Sequence, residues 1–399
     1  MLFDYLSYMI CIVITIYVLF YFYVRLKYGF WATQPVFHDY DIWYKIFPPG
    51  ILRVDQPTKN KYTNFINIDT VPFNTITSLQ KQRFVQLIAT NSLWKKNVLF
   101  SPKEENILSY FIGPTHKAFI SFYYDDHNLF DLKTGNIIVD RRIVGTLTSR
   151  PLTVQMNDAT FMVYFMDFLC VHKLHRRKGI VSQLLQTHEY NQRLLHKKIL
   201  VSLIKREGKE KLLRGIVPIC RYTSYGFRAD TWTKPVELAS NYSVIEINAH
   251  NFRFLHDFIH THSDSFQMTI KNDISNILEL LKTNNIFIYS IFADNRMQCC
   301  YFFRKTCIQV EPGLEALCCF ASICNCDEPI FIHGYKISFW KIASKHYFGF
   351  SLIENISHNG ILIHNIIQKT KPAIIQENAY YFYNFAYPTI SPDKCFIIH

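Results

Sequence analysis

The sequence has 399 residues, of which 49% are hydrophobic, so it is long enough for two domains or for one large domain with a sizeable core. Its net charge of +12 indicates an anionic partner, such as a nucleotide, a coenzyme or a membrane surface. Lysine and arginine are spread along the chain instead of being concentrated in a tail, which argues against nucleic-acid binding.

The amino-terminal residues 5–24 form an apolar run of twenty residues without a charge. As a helix they would span roughly 30 Å, the thickness of a bilayer core. A cleaved signal peptide would need a basic start and a small-residue cleavage site, whereas this run follows Asp4 and ends among tyrosines. Arg25 and Lys27 come next, so we expect a single-pass membrane anchor with the rest of the chain cytosolic.

The pattern of apolar and turn residues downstream predicts alternating helices and strands. Prolines make residues 38–100 irregular, except for a helix over 78–89 with Thr77 or Ser78 as its N-cap. Strands are predicted over 117–124, 143–148, 161–171, 286–292, 298–303, 317–323 and 377–388, and further helices over 180–195, 274–282 and 335–346.

The stretch DFLCVHKLHRRKGIVSQ, from Asp167 to Gln183, is the most informative part of the chain. Its apolar run from Phe168 to Val171 predicts a strand that is covered on both faces. Basic residues follow from His175 to Lys178, and Gly179 then precedes the helix. A strand that leads to basic residues and to free helix N–H groups can hold a phosphate group. A basic surface loop without a ligand is the simpler alternative.

The eleven cysteines lack the spacing of a disulfide scaffold or of a zinc site. They include Cys299–Cys300, Cys318–Cys319 and Cys324-x-Cys326, which lie inside apolar segments. Adjacent cysteines of a strand point to opposite faces, which disfavours joint ligation. We therefore expect reduced, buried thiols and no metal.

The central stretch resembles two related enzyme families. Arg176-x-x-Gly179, with Val181 at a position that is usually small, is similar to the R-x-x-G-x-(G/A) acyl-CoA loop of the GNAT acyltransferases. FLCVHK, from Phe168 to Lys173, resembles the strand NFLCVHKKLRSKR of the N-myristoyltransferases, which join two GNAT-like halves.

Two other motifs resemble the N-myristoyltransferases. FWATQPV, residues 30–36, is similar to their FW-x-TQPV segment, which lines the acyl-CoA site. CRY, residues 220–222, is similar to part of an element beside their peptide site, but Ser224 and Tyr225 replace the His-Arg pair of that element. The peptide side therefore departs from the family more than the coenzyme side does.

The resemblance implies an α+β fold of two tandem GNAT-like halves, with mixed sheets flanked by helices and preceded by one transmembrane helix. It divides the chain into a membrane anchor at 1–27, an acyl-CoA-binding half at 28–235 and a carboxy-terminal half at 236–399, which supplies the peptide side.

The resemblance also implies the site. The backbone N–H groups of Phe168 and Leu169 would form an oxyanion hole, which requires a bulge in the strand. The carboxylate of His399, in the apolar ending KCFIIH, would be the base, with its imidazole as an alternative. His172 is expected to be structural. The residues expected to bind acyl-CoA are Tyr28, Phe30, Trp31, Leu169, Cys170, Val171, Arg176, Arg177, Lys178, Gly179, Ile180 and Val181, and those expected at the peptide are Tyr222 and Ser224.

The implied activity is transfer of a myristoyl or similar fatty acyl group from acyl-CoA to the N-terminal glycine of a protein. Myristoyl-CoA would be a co-substrate, and no tightly bound cofactor is implied. Two alternatives stay open: an acyl-CoA N-acyltransferase with another amine substrate, and a non-catalytic protein that binds acyl-CoA or acyl-peptides.

Overall fold

The computed structural model describes residues 2–92, 99–130, 137–156, 159–209 and 212–399. Its helices are α1 (Leu2–Tyr28), α2 (Ile42–Ile46), α3 (Ser78–Asn91), α4 (Glu105–Leu108), α5 (Ile180–Leu195), α6 (Phe252–His262), α7 (Ile274–Lys282), α8 (Glu328–His346) and α9 (Asn359–Ile367). Its strands are β1 (Gly50–Ile51), β2 (Ile68–Pro72), β3 (Leu99–Phe100), β4 (Phe119–Phe130), β5 (Ile137–Met156), β6 (Ala159–Val171), β7 (Val201–Glu207), β8 (Cys220–Arg228), β9 (Tyr242–Ile247), β10 (Met268–Lys271), β11 (Ile286–Ala293), β12 (Arg296–Glu311), β13 (Leu314–Cys324), β14 (Phe348–Glu354), β15 (Ile374–Tyr383), β16 (Phe385–Ala386) and β17 (Cys395–Ile398).

The predicted helices are present, with two changes of bounds, since α3 ends at Asn91 instead of at residue 89 and α8 begins earlier than predicted. α3 begins with a capping box, in which Thr77 Oγ1 accepts from the N–H of Gln80 at 3.2 Å and Gln80 Oε1 accepts from the N–H of Thr77 at 2.9 Å. α5 and α7 have the predicted bounds. α8 begins at Glu328 instead of Tyr335, because a proline in its first turn suits a helix start and Phe331 is already buried.

The last predicted strand is interrupted at Asn384, which separates β15 from β16. Asn384 has a φ of +64°, a left-handed conformation that asparagine tolerates better than most residues. Its side chain accepts from the N–H of Arg53 at 2.8 Å and donates to the carbonyl oxygens of Arg53 and Leu200. These long-range bonds fix the break in the strand, and local pattern could not predict them.

Fifteen of the described strands form one mixed sheet. Its main order is β17-β10-β5-β6-β7-β15-β8-β14-β13-β12-β11-β9, while β4 also pairs with β5, β2 with β4, and β3 with β12. Two parts of this sheet repeat the same arrangement. β4, β5 and β6 are antiparallel neighbours, and α5 then leads to β7, which is parallel to β6. β11, β12 and β13 are likewise antiparallel, and α8 leads to β14, which is parallel to β13.

The two tandem halves predicted from the sequence are thus present, and they exchange strands. β15, from the second half of the chain, pairs with both β7 and β8, and β8 pairs with β14. β17 lies parallel to β10 and brings the end of the sequence between the halves. The domain boundary at residues 235–236 stays a prediction, since the sheet continues across both halves.

Helix α1 is long and apolar enough to cross a membrane. The segment Tyr8–Tyr28 has a mean hydropathy of 2.2, and only 6% of its most apolar stretch is buried within the protein. So much exposed apolar surface suits contact with lipid. A signal sequence has similar length and composition, so the anchor itself stays a prediction.

Candidate active site

Strand β6 has a bulge at Phe168. This residue has a φ of +48°, a conformation that bulky residues rarely adopt. The register with β5 shifts there, so that Phe168 and Leu169 of β6 lie against a single residue of β5. The parallel pairing of β6 with β7 ends just before, at Met166. The backbone distortion that an oxyanion hole at these two residues requires is therefore in place.

The ring of Phe168 holds this backbone conformation through aromatic packing. Its centroid lies 5.8 Å from that of Phe84, 6.5 Å from that of Tyr110 and 5.9 Å from that of Phe111. Such contacts offset backbone strain of about 1–3 kcal/mol. The N–H of Phe168 donates to Oδ1 of Asp167 at 2.8 Å. This candidate oxyanion donor is therefore engaged by the carboxylate of the preceding residue.

The basic loop between β6 and α5 contains two residues in the left-handed conformation. Arg177 and Gly179 have left-handed φ values of +65° and +76°, so the chain turns twice before α5 begins. Apart from its chain neighbours, no described residue lies within 4 Å of a Cβ built on Gly179, so the backbone conformation, not space, requires the glycine. Arg177 and Lys178 are exposed beside the N-terminus of α5, whose free N–H groups attract anions.

Arg176 has a different environment from its two basic neighbours. Its Nε donates to the carbonyl oxygen of Val171 at 3.2 Å, and its Nη2 donates to the carbonyl oxygen of Asn91. Arg176 therefore ties the end of β6 to the end of α3. Arg176 is exposed like Arg177 and Lys178, but two of its donors are engaged within the protein, so it shapes the loop while its neighbours remain more available to a ligand.

The other residues expected at acyl-CoA around β6 and α5 lie partly in the core. Cys170 is buried, its Sγ lies 3.8 Å from a carbonyl oxygen of α3, and burial raises the pKa of its thiol. Val171 and Ile180 are also buried, while Leu169 is half-buried and Val181 is 43% exposed. Cys170 is thus a core residue with a neutral thiol, which suits a backbone contact to a ligand and not nucleophilic catalysis.

The segment FWATQPV packs against the same end of the sheet. The ring of Phe30 lies 5.1 Å from that of Trp31 and 5.0 Å from that of Tyr62. Phe30 and Trp31 pack against the apolar cluster that contains Val171 and Ile180. They are therefore adjacent to the bulge-loop-helix segment.

The flanks of this segment are fixed by long-range contacts. Tyr28 packs on Gly215, where a Cβ would lie only 2.1 Å from the tyrosine ring. Gln34 Oε1 accepts from the hydroxyl of Tyr383 at 2.6 Å. The contact between Gln34 and Tyr383 joins a motif near the amino terminus to the last long strand.

His399, the last residue of the sequence, is buried where the two halves meet. Its ring centroid lies 4.3 Å from that of Phe165 in β6. Its Nε2 is 2.8 Å from the hydroxyl of Tyr380, its Nδ1 is 3.4 Å from Nη2 of Arg150, and its backbone oxygen is 3.5 Å from Nη1 of Arg304. Phe165 precedes the bulge at Phe168 by three residues. About 10 Å of strand β6 therefore separates the contact with His399 from the bulge.

The imidazole of His399 is neutral and fully engaged. Arg150 can only donate, so Nδ1 accepts and Nε2 carries the proton that is donated to Tyr380. Burial, followed by the charges of Arg150 and Arg304, holds the pKa of His399 well below its usual range. The ring therefore has no free lone pair for a substrate proton, which disfavours the imidazole as the base.

Three largely buried cations, Arg150, Arg304 and Lys205, surround His399. Glu354 Oε1 lies 2.8 Å from Nζ of Lys205 and 3.3 Å from Nη2 of Arg304. No aspartate or glutamate among the described residues pairs with Arg150, whose Nε lacks a hydrogen-bond partner and whose guanidinium lies over two aromatic rings. Lys205 also pairs with Oε1 of Glu207 at 2.9 Å. Arg150 is thus the cation of this group without a direct acidic partner among the described residues, which favours a carboxylate here.

The two residues expected on the peptide side differ in their surroundings. The ring of Tyr222 stacks on that of Tyr380 with centroids 5.8 Å apart, and its buried hydroxyl has no hydrogen-bond partner within the described part of the chain. Ser224 lies on the same face of β8, but its Oγ accepts from Nδ2 of Asn378 at 2.6 Å. Tyr222 thus lies at the His399 site with an unused hydroxyl, while the hydroxyl of Ser224 is engaged within the protein.

Other candidate catalytic side chains have structural environments. His172 Nδ1 accepts from the N–H of Leu174 at 3.4 Å and so caps the short turn Lys173–His175. Among the residues that the structure describes, no group of three or more His, Cys, Asp and Glu side chains could hold a metal ion.

The sequence did not identify the side chains around His399, namely Arg150, Arg304, Glu354 and Tyr380. They belong to β5, β12, β14 and β15, which are far apart in the chain. The available signal was the presence of charged residues such as Arg150 inside otherwise apolar strands, because charged side chains are rarely buried without a specific role.

Comparisons with known proteins support the fold assignment. No protein-family model matches the sequence, and neither does any curated protein sequence. A crystal structure of Saccharomyces cerevisiae N-myristoyltransferase with bound myristoyl-CoA is similar, with a TM-score of 0.69 and 12% identity over 91% of this chain and 94% of that chain. A second structure, with bound myristoyl-CoA and inhibitors, has a TM-score of 0.68 and 13% identity over 94% and 95% of the two chains. The chain therefore has the N-myristoyltransferase fold.

Proposed function

We propose that this chain, which has the N-myristoyltransferase fold, transfers a myristoyl group from acyl-CoA to the N-terminal glycine of a protein. The phosphates of coenzyme A lie at Arg177, Lys178 and the N-terminus of α5. The thioester lies at the bulge, with the acyl chain among apolar residues near Phe30 and Trp31. The two N-myristoyltransferase structures described above contain bound myristoyl-CoA, which supports this arrangement.

In the proposed reaction, the N–H groups of Phe168 and Leu169 stabilise the negative charge that develops on the thioester oxygen. The carboxylate of His399 takes a proton from the substrate ammonium, and the amine then attacks the thioester carbon. The new C–N bond forms and the C–S bond breaks, and the second proton that the nitrogen loses passes to the departing thiolate, so that coenzyme A leaves as a thiol. No covalent acyl-enzyme is required, in agreement with the buried, neutral thiol of Cys170.

The bulge at Phe168 is the observation that carries this proposal. A bulky residue with a positive φ is strained, and strained backbone is concentrated at functional sites. Here the strain lies directly before a loop with the geometry of an anion cradle and about 10 Å of strand from His399. A basic surface loop without a ligand would need none of these features.

Membrane attachment through residues 5–24 is the second part of the proposal. The run is apolar and exposed, and Arg25 and Lys27 at its end support a cytosolic position of the acyltransferase domain. A fusion of the full chain to a fluorescent protein, extracted with alkaline carbonate, tests this. A spanning helix stays in the membrane pellet, and release into the supernatant would contradict the anchor.

A different amine substrate is the second candidate. It is favoured by Ser224 and Tyr225, which stand where the family has His and Arg, and by Ser224 being engaged by Asn378. The fold and the coenzyme cradle would serve either substrate equally well.

Radiolabelled myristoyl-CoA and matched peptides separate the candidates. Peptides that begin with glycine, with alanine or with N-acetylglycine are incubated with the full chain in detergent. Label on the glycine peptide alone supports the proposal, and label only on other amines supports the second candidate. Binding of acyl-CoA without transfer to any amine would instead identify a non-catalytic binding protein.

A further inference from the structure

A patch of large apolar side chains is exposed beside the end of α1. Trp43 is 72% exposed and Phe47 is 70% exposed, although both could pack in a core. We define the interfacial patch by its most exposed members, which are Ile42, Trp43, Ile46, Phe47 and Val54. These residues belong to α2 and to the chain that follows it. Large apolar side chains exposed at such neighbouring positions of the chain are typical of an interaction site.

The part of α1 beside which the interfacial patch lies indicates what covers the patch. The rings of Phe20 and Tyr40 meet edge to face with centroids 5.7 Å apart. Tyr17 of α1 and Tyr44 of α2 line the same cavity of about 600 Å³ between the helix and the domain. Tyr17 precedes Val24, the end of the charge-free run, by about 10 Å of helix. α2 therefore lies beside the last two turns of the apolar run.

We propose that the interfacial patch inserts into the membrane leaflet that receives the carboxy-terminal end of α1. This inference rests on the proposed membrane attachment. If α1 spans the bilayer, α2 lies at the same depth as the last turns of the apolar run of α1. The interfacial patch could then avoid lipid only if the contact between Phe20 and Tyr40 were broken. The chain then has two membrane contacts, and the orientation of the acyltransferase domain relative to the membrane is fixed.

The chemistry of the patch fits a lipid surface. Tryptophan is enriched where acyl chains meet headgroups. Exposed Lys45 and Arg53 accompany the apolar residues, and Arg25 and Lys27 lie nearby on α1. Basic residues around an apolar face are typical of segments that bind anionic lipid, whereas the centre of a protein interface is depleted of lysine.

Quenching of tryptophan fluorescence by brominated lipid tests the inference. The full chain is placed in vesicles that contain phosphatidylserine and lipid brominated on its acyl chains. Wild type is compared with Trp43→Phe and with the control Trp340→Phe, whose indole lies on α8 beside Lys234. Since Trp43 is exposed, its replacement leaves the fold intact. We expect the quenched fraction to fall in Trp43→Phe and not in Trp340→Phe.

The outcomes distinguish the two levels of the proposal. Carbonate-resistant protein with equal quenching in wild type and Trp43→Phe would overturn the inference but keep the anchor. In that case, cross-links between copies at residue 43 would assign the patch to a second copy of this chain. Protein that carbonate extracts would overturn both the anchor and the patch insertion.

Discussion

Nη2 of Arg150 lies 3.4 Å from Nδ1 of His399, so a buried guanidinium and the last side chain of the sequence form one hydrogen-bonded unit. Arg150 comes from β5 in the first half of the fold, and His399 follows β17 at the end of the second half. The contact therefore joins the two halves at the proposed base. Because arginine keeps its proton at any ordinary pH, its positive charge is a permanent part of this site.

Extension of the chain beyond His399 should abolish the proposed proton transfer. Adding Gly-Ser replaces the terminal carboxylate by an amide and forces two residues into a buried site. General base catalysis contributes at least about 100-fold, so we expect acyl transfer to slow by that factor or more. Single-turnover transfer from labelled acyl-CoA measures it.

A matched variant keeps the carboxylate and removes the ring. His399→Ala loses the bonds to Arg150 and Tyr380 but leaves the chain end in place, so it should retain much more activity than the extended chain. If His399→Ala and the extended chain lose acyl-transfer activity equally, or if the extended chain keeps wild-type turnover, the carboxylate is not the base.

Replacement of Arg150 should separate stability from activity. Arg150→Met removes a buried cation that forms no ion pair with an acidic side chain among the described residues, although it donates to Oδ1 of Asn272 at 3.2 Å. A methionine of similar length fills most of the space. We expect the free energy of unfolding to stay within about 1 kcal/mol of wild type or to rise. Turnover should fall about tenfold, because His399 loses a positioning contact.

Urea unfolding and steady-state kinetics on the same preparations measure both effects. Arg228→Met is the control, since Arg228 is an exposed arginine that pairs with Asp230 and Glu311. A parallel loss of stability and activity in Arg150→Met would mean that Arg150 is structural only.

The sequence predicted the parts of the fold that depend on local pattern. The bounds of α5 and α7 follow from apolar periodicity and hold to the residue, and the capping box at Thr77 fixes the start of α3. The single sheet was not predicted, because the exchange of β8 and β15 between halves depends on pairings between distant strands. The cation cluster was missed for the same reason, since Arg150 and Arg304 meet only after folding.

The basic loop should bind coenzyme A through two of its three cations. Arg177→Gln and Lys178→Gln remove exposed charges, so each should raise the KM for acyl-CoA about threefold to tenfold with little change in kcat. The effect should shrink at high salt, because exposed charges are screened. Calorimetric titration with coenzyme A at low and high salt measures the change in affinity and its dependence on salt.

Arg176→Gln should behave differently from both. Its guanidinium holds β6 to α3, so the variant should lower stability by about 1–3 kcal/mol through unpaired carbonyl groups. If Arg177→Gln and Lys178→Gln leave affinity unchanged while Arg176→Gln alone lowers it, the phosphate site has been assigned to the wrong side chains.

Asp167 should compete with the thioester oxygen for the N–H of Phe168. Its charge strengthens the 2.8 Å hydrogen bond, and an amide at this position would accept more weakly. Asp167→Asn keeps the size of the side chain, so we expect a modest rise of a few fold in the rate of acyl transfer and no change in KM for acyl-CoA. A fall in rate with unchanged KM would show instead that the carboxylate takes part in the reaction.

A second buried polar cluster lies under α5, away from the proposed site. Glu189 is fully buried, and its Oε2 accepts from Oγ of Ser202 at 2.9 Å and from Nε2 of Gln192 at 3.3 Å. Its Oε1 has no hydrogen-bond partner among the residues that the structure describes. Burial raises the pKa of Glu189 from its usual 4.5 to about 7, and the bond to Ser202 only partly offsets this. Near neutral pH the folded protein therefore holds a proton that the unfolded chain releases.

Glu189 should make the folded state less stable as the pH rises. Between about 4.5 and about 7 the folded state binds more protons, so stability falls through this window by about 3 kcal/mol and levels off above it. Glu189→Gln resembles the protonated acid. Its free energy of unfolding should therefore exceed that of wild type only slightly at pH 5, and by nearly the whole of this difference of about 3 kcal/mol at pH 8. Urea unfolding of the full chain in detergent across this range measures the difference, with the exposed Glu104→Gln as control. If the free energies of unfolding of wild type and Glu189→Gln differ by the same amount from pH 5 to pH 8, the proposed titration of Glu189 is wrong.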